Sequence, residues 1–443
     1  MRSRSRGTAR RVALALVVVL GAAACSDEGT STTSTSRDSV VEGFDGGTTG
    51  TDGTDRTSAA CSSEPGAPVE GPTATAGTVD IDGVQVDLVT YPRPDYAGKP
   101  WSQWGQGLVL PDGRYLSAMG DHRGRDGNSF LFVYDPATRQ MTRFADAQSV
   151  LGHDEGDWGY GKIHAQMVSP SCDSVYIATY WGTRRKIEYG GSYSGDGLMR
   201  LDPATMEVTS LGVPLERHGI PSMATGGGLI YLEAAVPEAS APGAFAVYDP
   251  ETEEVVYQRD DPDLTGFRSI LVDADGAAYV AGAGSELLRY APGGELATDG
   301  ELPQGWLRAA AAPNDDGSVY GVSTDPYRFF VLRPDGGLED IGPARGYTAS
   351  IAVHPDGRIL YVPGAHGTAW KHGTSVFAVD PETGAEETLV QLNETAQREL
   401  GLTLGGTYSV VVDPERDRLF IGFNAGTDPE DPWGEVVLAS IEL

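Results

Sequence analysis

From residue 78 onward the chain alternates apolar and polar positions in short runs, and nearly every run closes on a turn signal. A period of two places successive side chains on opposite faces and predicts β-strands rather than helices. One phrase recurs: a strand, then Asp-Pro-x-Thr or a variant, then a second strand. It reads FLFVYDPATRQMTRF, GLMRLDPATMEVTSLG, AFAVYDPETEEVVYQ, LLRYAPGGELA, FFVLRPDGGLEDIG and SVFAVDPETGAEETLV. Its prolines are Pro136, Pro203, Pro250, Pro292, Pro334 and Pro381. Asp-Pro followed by a small polar residue or glycine makes a tight turn, so each phrase is a hairpin. A second hairpin precedes each one, as in GLVLPDGRYLSAMG, SILVDADGAAYVAG and SIAVHPDGRILYVPG. SMATGGGLIYLEA is a less regular version.

Two hairpins make a four-stranded antiparallel sheet, and its recurrence at intervals of about 40–50 residues is the signature of a β-propeller. Six units carry four strands. The last has three, YSVVVD, RLFIGF and EVVLASIEL. The predicted fold is all-β: a seven-bladed β-propeller closed by an N-terminal strand, residues 78–91, completing the last blade. Closure removes an open edge that would invite aggregation. Over residues 78–443 the blades resemble the class of secreted bacterial seven-bladed propellers of YVTN, NHL and WD40-like type. That resemblance implies fold more than function.

Ahead of the repeats, residues 1–25 read MRSRSRGTARRVALALVVVLGAAAC. A basic stretch, an apolar run of thirteen residues and small residues before a cysteine form a secretory signal; the run is shorter than the roughly 20 residues of a membrane-spanning helix. Ala22-Ala23-Ala24-Cys25 resembles the lipobox of bacterial lipoproteins, which implies lipidation of Cys25; an ordinary signal cleaved near the same alanines is the alternative. The expected organisation is a signal over 1–24, a flexible Ser/Thr/Gly/Asp tether over 25–66 and the propeller over 67–443. Cys61 and Cys172 remain, and in an oxidising extracytoplasmic space they are expected to pair, with two buried thiols the alternative.

Charge narrows the partners. Lys and Arg number 32 against 63 Asp and Glu, a net of −31. Removing the basic N-terminal stretch leaves 27 against 63, or −36. Such a surface repels nucleic acid and anionic lipid, so nucleic acid is excluded as a partner and membrane contact is expected only through the lipid anchor. The scarce cations are unevenly placed. Loops joining the second and third strands are long at 120–129, 180–196, 233–243, 363–374 and 424–434. Together with the starts of the innermost strands they hold Lys162, His164, Arg184, Arg185, Lys186, His218, Arg268, Arg308, His366, Lys371 and His372. Trp181 and Trp370 accompany them, as do Trp104, Tyr408 and Trp433, of which Trp104 and Tyr408 look more like blade-packing residues. Aromatic rings stack on sugars, and Arg and Lys bind carboxylate or sulfate. The opposing reading is that these cations are paired with local acids such as Asp121 and Asp126, or solvated.

The most pointed local motif is GYGKIHAQMV followed by VYIATYWG. It sets Lys162, His164 and Gln166 near the channel and Tyr180 at the end of the neighbouring strand. It is similar to motifs in secreted propellers that include polysaccharide lyases acting on uronates. That resemblance implies His164 as base, Tyr180 as acid and Arg184 or Lys186 as neutraliser of the substrate carboxylate. A purely structural His164, hydrogen-bonded in the channel, is the competing reading. No cofactor is expected; a metal held by His164, Gln166, His218 and His366 is permitted but not required by their spacing. Three functions follow: a tethered monomeric propeller binding an anionic small molecule or polysaccharide, a β-eliminating lyase on uronate polymers, or a scaffold for envelope proteins.

Overall fold

In four of the six recurring turns an Asp does the local work. In a computed structural model, which describes residues 61, 63–95, 97–98, 101–121, 123, 126–154, 158–180, 193–235, 242–261, 264 and 269–443, the Asp135, Asp202, Asp249 and Asp380 carboxylates accept the backbone N–H two residues on, at 2.7–2.9 Å. The fifth residue of the phrase then takes a positive φ: Arg139 at 56°, Met206 at 60°, Glu253 at 56° and Gly384 at 67°. An Asx turn followed by a left-handed residue reverses the chain into the outer strand. The Thr383 hydroxyl, followed by the backbone N–H groups, holds the Asp380 carboxyl below its ordinary value.

The strands form seven antiparallel sheets of four or five strands, a seven-bladed propeller. Blade one runs outward from Leu108–Val109 through Tyr115–Gly120 and Ser129–Asp135 to Gln140–Asp146. Blade seven runs from Thr403–Asp413 through Arg418–Gly426 to Glu435–Glu442. Val84–Thr90 then pairs with Glu435–Glu442, Val86 facing Ile441, and closes the ring as the pattern predicts. The N-terminal segment does more than that. Asp82 (φ 55°) and Gly83 (φ 93°) turn it back, so Gly77–Ile81 becomes a fifth strand of blade seven. Thr73–Thr75 adds a fifth strand to blade one. The Asp-Gly pair inside one alternating run is the hairpin signal behind this difference.

Seven hydrophobic clusters lie between neighbouring blades, one per junction. They contain fully buried side chains such as Phe132, Tyr231, Phe329 and Phe420. Each blade is thus largely apolar on both faces, with a few buried polar side chains such as Ser117, Asn424 and Ser440 on its inner strands. Ahead of the first strand the chain is fastened to two blades. Cys61 and Cys172 are disulfide-bonded, with Cα atoms 5.3 Å apart. Gly66 N donates to Asp112 (3.0 Å) and Ala67 N to Ala204 O (2.7 Å). The expected tether thus meets the blades at its C-terminal end, while Cys25 and the signal lie outside the described residues. Among the described residues no helix is long and apolar enough to cross a membrane.

Burial of tyrosines between blades sets a limit on alkaline stability. Desolvation raises the Tyr134, Tyr231 and Tyr361 phenols, and pushes Tyr248 up to about 12. Tyr134 and Tyr361 also donate to Asp87 and Glu386, and a phenolate there would face a carboxylate. Unfolded, these groups ionise near 10. Their contribution is intact below pH 10 and is lost as pH climbs from 10 through the raised folded values, at up to about 1.4 kcal/mol per group per pH unit. The melting temperature should fall steeply above pH 10, with tyrosinate absorbance appearing together with unfolding. Tyrosinate titrating fully near pH 10 in a still-folded protein would contradict this account.

Candidate functional site

The innermost strands pair imperfectly, and their faults coincide with the chemistry. In blade one a single bridge, Ser102 to Gly120, is followed by unpaired chain until Leu108. In blade two Ile163 bridges Thr179, and pairing resumes at Val168. Register shifts fall between Gly219 and Ser222 in blade three, between Leu307 and Ala309 in blade five, and between Thr407 and Ser409 in blade seven. The residues inside these gaps are Trp104, His164 with Gln166, Pro221, Arg308 and Tyr408. A bulge frees a side chain from strict alternation and re-aims it.

Of these, Trp104 and Tyr408 fall in an eighth cluster with Ala349 and Ala365, against which Tyr347 and Trp433 pack; His164 stacks on Trp104 and Arg308 reaches Tyr347. Trp104 is its hub. The Lys162 Nζ lies 4.7 Å from a Trp104 ring centre. Trp433 (5.4 Å) and His164 (6.4 Å) stack on Trp104 at interplanar angles of 20° and 19°. Tyr408 (5.3 Å) and His366 (6.4 Å) complete its surroundings. Gly105 permits the close approach of blades one and two, since a Cβ there would sit 2.4 Å from Ala165 O.

Two imidazole–phenol pairs flank the hub. His164 and Tyr180 have ring centres 4.5 Å apart. His164 Nδ1 lies 3.2 Å from Pro221 O, an oxygen that can only accept. A neutral His164 therefore carries its proton on Nδ1 and its lone pair on Nε2. On the other side, Tyr408 OH and His366 Nδ1 are 2.5 Å apart. Tyr347 stacks on His366 at 5.6 Å and accepts a 2.7 Å hydrogen bond from Arg308 Nε. Lys162 and Arg308 are 4 % and 1 % exposed. Two buried cations thus lie against aromatic rings, where cation–π attraction strengthens as water is excluded.

Of the residues singled out in the sequence, the fold unites Lys162, His164, Tyr180, Arg308 and His366. Gln166 instead ties blade two to blade three, its Oε1 accepting from Met223 N (3.2 Å) and Ser222 Oγ (3.4 Å). His218 bonds within its own turn, Nδ1 to Glu216 O at 2.6 Å. Trp370, Lys371 and His372 lie on the 3-10 turn Ala369–His372, where Lys371 stands over Trp370 and, like His372, is exposed. Trp181, Arg184, Arg185, Lys186 and Arg268 lie outside the described residues. Arg123 is paired with Asp126 (3.5 Å), as the reading of local ion pairs would have it. Among the described residues no three His, Cys, Asp or Glu side chains gather as a metal site. Trp104 and Tyr408 are buried, as packing residues are, but what they pack is this cluster. Tyr347 was missed; its position just ahead of the innermost strand of blade six, Ile351–Val353, was the available signal.

Fold and cluster together define a seven-bladed propeller with a buried cationic and aromatic centre. No family model and no curated protein matches the chain. Among solved structures it is similar to virginiamycin B lyase from Staphylococcus aureus (TM-score 0.53, 9 % identity, covering 81 % of this chain and 99 % of that one). It also matches the WD40 propeller domain of Doa1 (TM-score 0.48, 11 % identity, covering 83 % and 97 %). At 9 % identity the likeness to the lyase is one of fold.

Proposed function

We propose that this chain is an extracytoplasmic propeller, tethered by lipid on Cys25, that binds an anionic ligand, best an acidic polysaccharide, at the Trp104 cluster. The observation that carries the reading is the burial of Lys162 and Arg308 among aromatic rings in a chain of net charge −31. An acidic surface with a cationic centre directs an anion to one place, and rings beside the cations offer faces for sugar stacking. The Cys61–Cys172 bond supports an oxidising compartment. Calorimetric titration with pectin-, alginate- and ulvan-type oligosaccharides at low salt should show saturable binding. Lys162→Met should weaken it about tenfold, near 1.4 kcal/mol. Heat-free titrations across all three classes would sink the reading.

A second reading is favoured by the His164–Tyr180 contact: β-elimination on a uronate polymer. His164 Nε2 takes the proton next to the carboxylate, and enolate charge builds facing the buried cations. The C–O bond to the leaving sugar breaks as Tyr180 donates its phenolic proton to that oxygen, leaving a C=C bond. A lyase is among the proteins built on this fold, so the scaffold is compatible with such chemistry. Product absorbance near 235 nm, abolished in His164→Ala and Tyr180→Phe with binding retained, is the expected result. Binding without any absorbance change in the wild-type protein leaves the binding role alone.

A further inference from the structure

We propose that Arg308 is the seat of an oxyanion carried by the ligand, with its guanidinium reserved for that group. The proposal rests on the Trp104 cluster being an anion site and adds which residue grips the charge and through what chemistry.

Arg114 shows how this protein treats an arginine kept for structure. Its Nε donates to Asp112 (2.6 Å), Nη1 to Ala67 O (3.0 Å) and Nη2 to Pro203 O (3.4 Å), so carboxylate and carbonyl oxygens consume the fork. Arg308 is more deeply buried, at 1 % exposure, yet only Nε is engaged, by the neutral Tyr347 hydroxyl. Its Nη2 is enclosed and has no hydrogen-bond partner among the described residues. Among the described residues no carboxylate pairs with it, although the chain has 63 acids to draw on. An enclosed guanidinium without a counter-charge is costly, and a buried donor left unmade costs again. The register shift at Arg308 carries its side chain out of the regular alternation, and Tyr347 holds the guanidinium carbon 4.9 Å above its ring. On the adjoining blade Ser269, 2 % exposed, is another enclosed polar side chain whose hydroxyl has no partner among the described residues. A rigid fork with an unsatisfied edge matches an oxygen pair of a carboxylate or sulfate.

The test uses Arg308→Met and Arg308→Lys in the full folded protein. Removal of a structural arginine lowers the melting temperature, whereas removal of an uncompensated charge kept for a ligand leaves it unchanged or raises it. Arg308→Met is therefore expected to melt no lower than the wild-type protein in anion-free buffer. Sodium acetate and sodium sulfate, titrated separately at constant ionic strength, should raise the wild-type melting temperature saturably. Arg308→Met should lose that saturable rise, and Arg308→Lys, which keeps charge but not the fork, should keep only part of it. Whichever salt saturates first identifies carboxylate or sulfate as the preferred group. Equal responses in wild type and Arg308→Met, or a lower melting temperature in Arg308→Met without anion, would overturn the proposal. The broader reading fails separately. Acidic oligosaccharides that bind wild type and Arg308→Met equally refute only the role of Arg308; a saturable acetate or sulfate response with no oligosaccharide binding refutes only the polysaccharide ligand.

Discussion

Replacing Trp104 with alanine is expected to remove about 3–5 kcal/mol of stability and all ligand binding at the Trp104 cluster. The size follows from its neighbours. The ring is 4 % exposed, stacks on Trp433 and His164, packs against Tyr408 and His366, and lies under Lys162. A cavity there loosens residues contributed by blades two, six and seven, so Lys162 loses its π partner and His366 one wall of its slot. Trp104→Phe, which refills part of the volume, should recover most of the stability and less of the binding. Denaturant unfolding and ligand titration of the two variants measure both effects. A Trp104→Ala protein within 1 kcal/mol of wild type would show that the cluster is not held together by this ring.

The second large effect is expected at the disulfide. Cys61 and Cys172 close a loop of 111 residues. Chain-entropy arguments put such a bond at roughly 4–5 kcal/mol, with engineered and native cases commonly falling to 2–5. Cys61→Ser with Cys172→Ser should lower the denaturation midpoint accordingly. Hydrogen exchange should localise the first loss of protection to the Gly66 and Ala67 amides, which reach Asp112 and Ala204, while Val84–Thr90 stays protected by its pairing with Glu435–Glu442. Unchanged stability, or loss of protection beginning at Val84–Thr90, would contradict the account of how this segment is fastened.

Strands and turns were legible because they depend on nearest neighbours in sequence: period-two alternation, and an Asp that caps its own turn. Ring closure was legible because one blade lacked a strand and one alternating run lacked a blade. Two features escaped. The Asp82–Gly83 turn splits an apparently continuous run, so what reads as one strand supplies two. The interruptions that place Trp104, His164, Arg308 and Tyr408 also leave no mark in an apolar–polar pattern, since an extra residue in one strand is defined only by its partner strand. Composition and loop position therefore pointed to blades that contribute to the Trp104 cluster but could not separate Arg308 from His218, Lys371 and His372, which the fold leaves apart.

Closure by the N-terminal strand also fixes an order of events during synthesis. Arg93, just after the closing strand, pairs with Glu435, 342 positions later. At roughly 5–20 residues per second, the closing strand waits about 20–70 s on a ribosome before its partner exists. Blades one to six can complete themselves in turn as their hairpins emerge, but Val84–Thr90, paired only with Gly77–Ile81, keeps one side open throughout that interval. The ring is therefore finished only once blade seven has been made, and a polypeptide cut short before Glu435–Glu442 would leave Val84–Thr90 without the strand that joins it to the last blade.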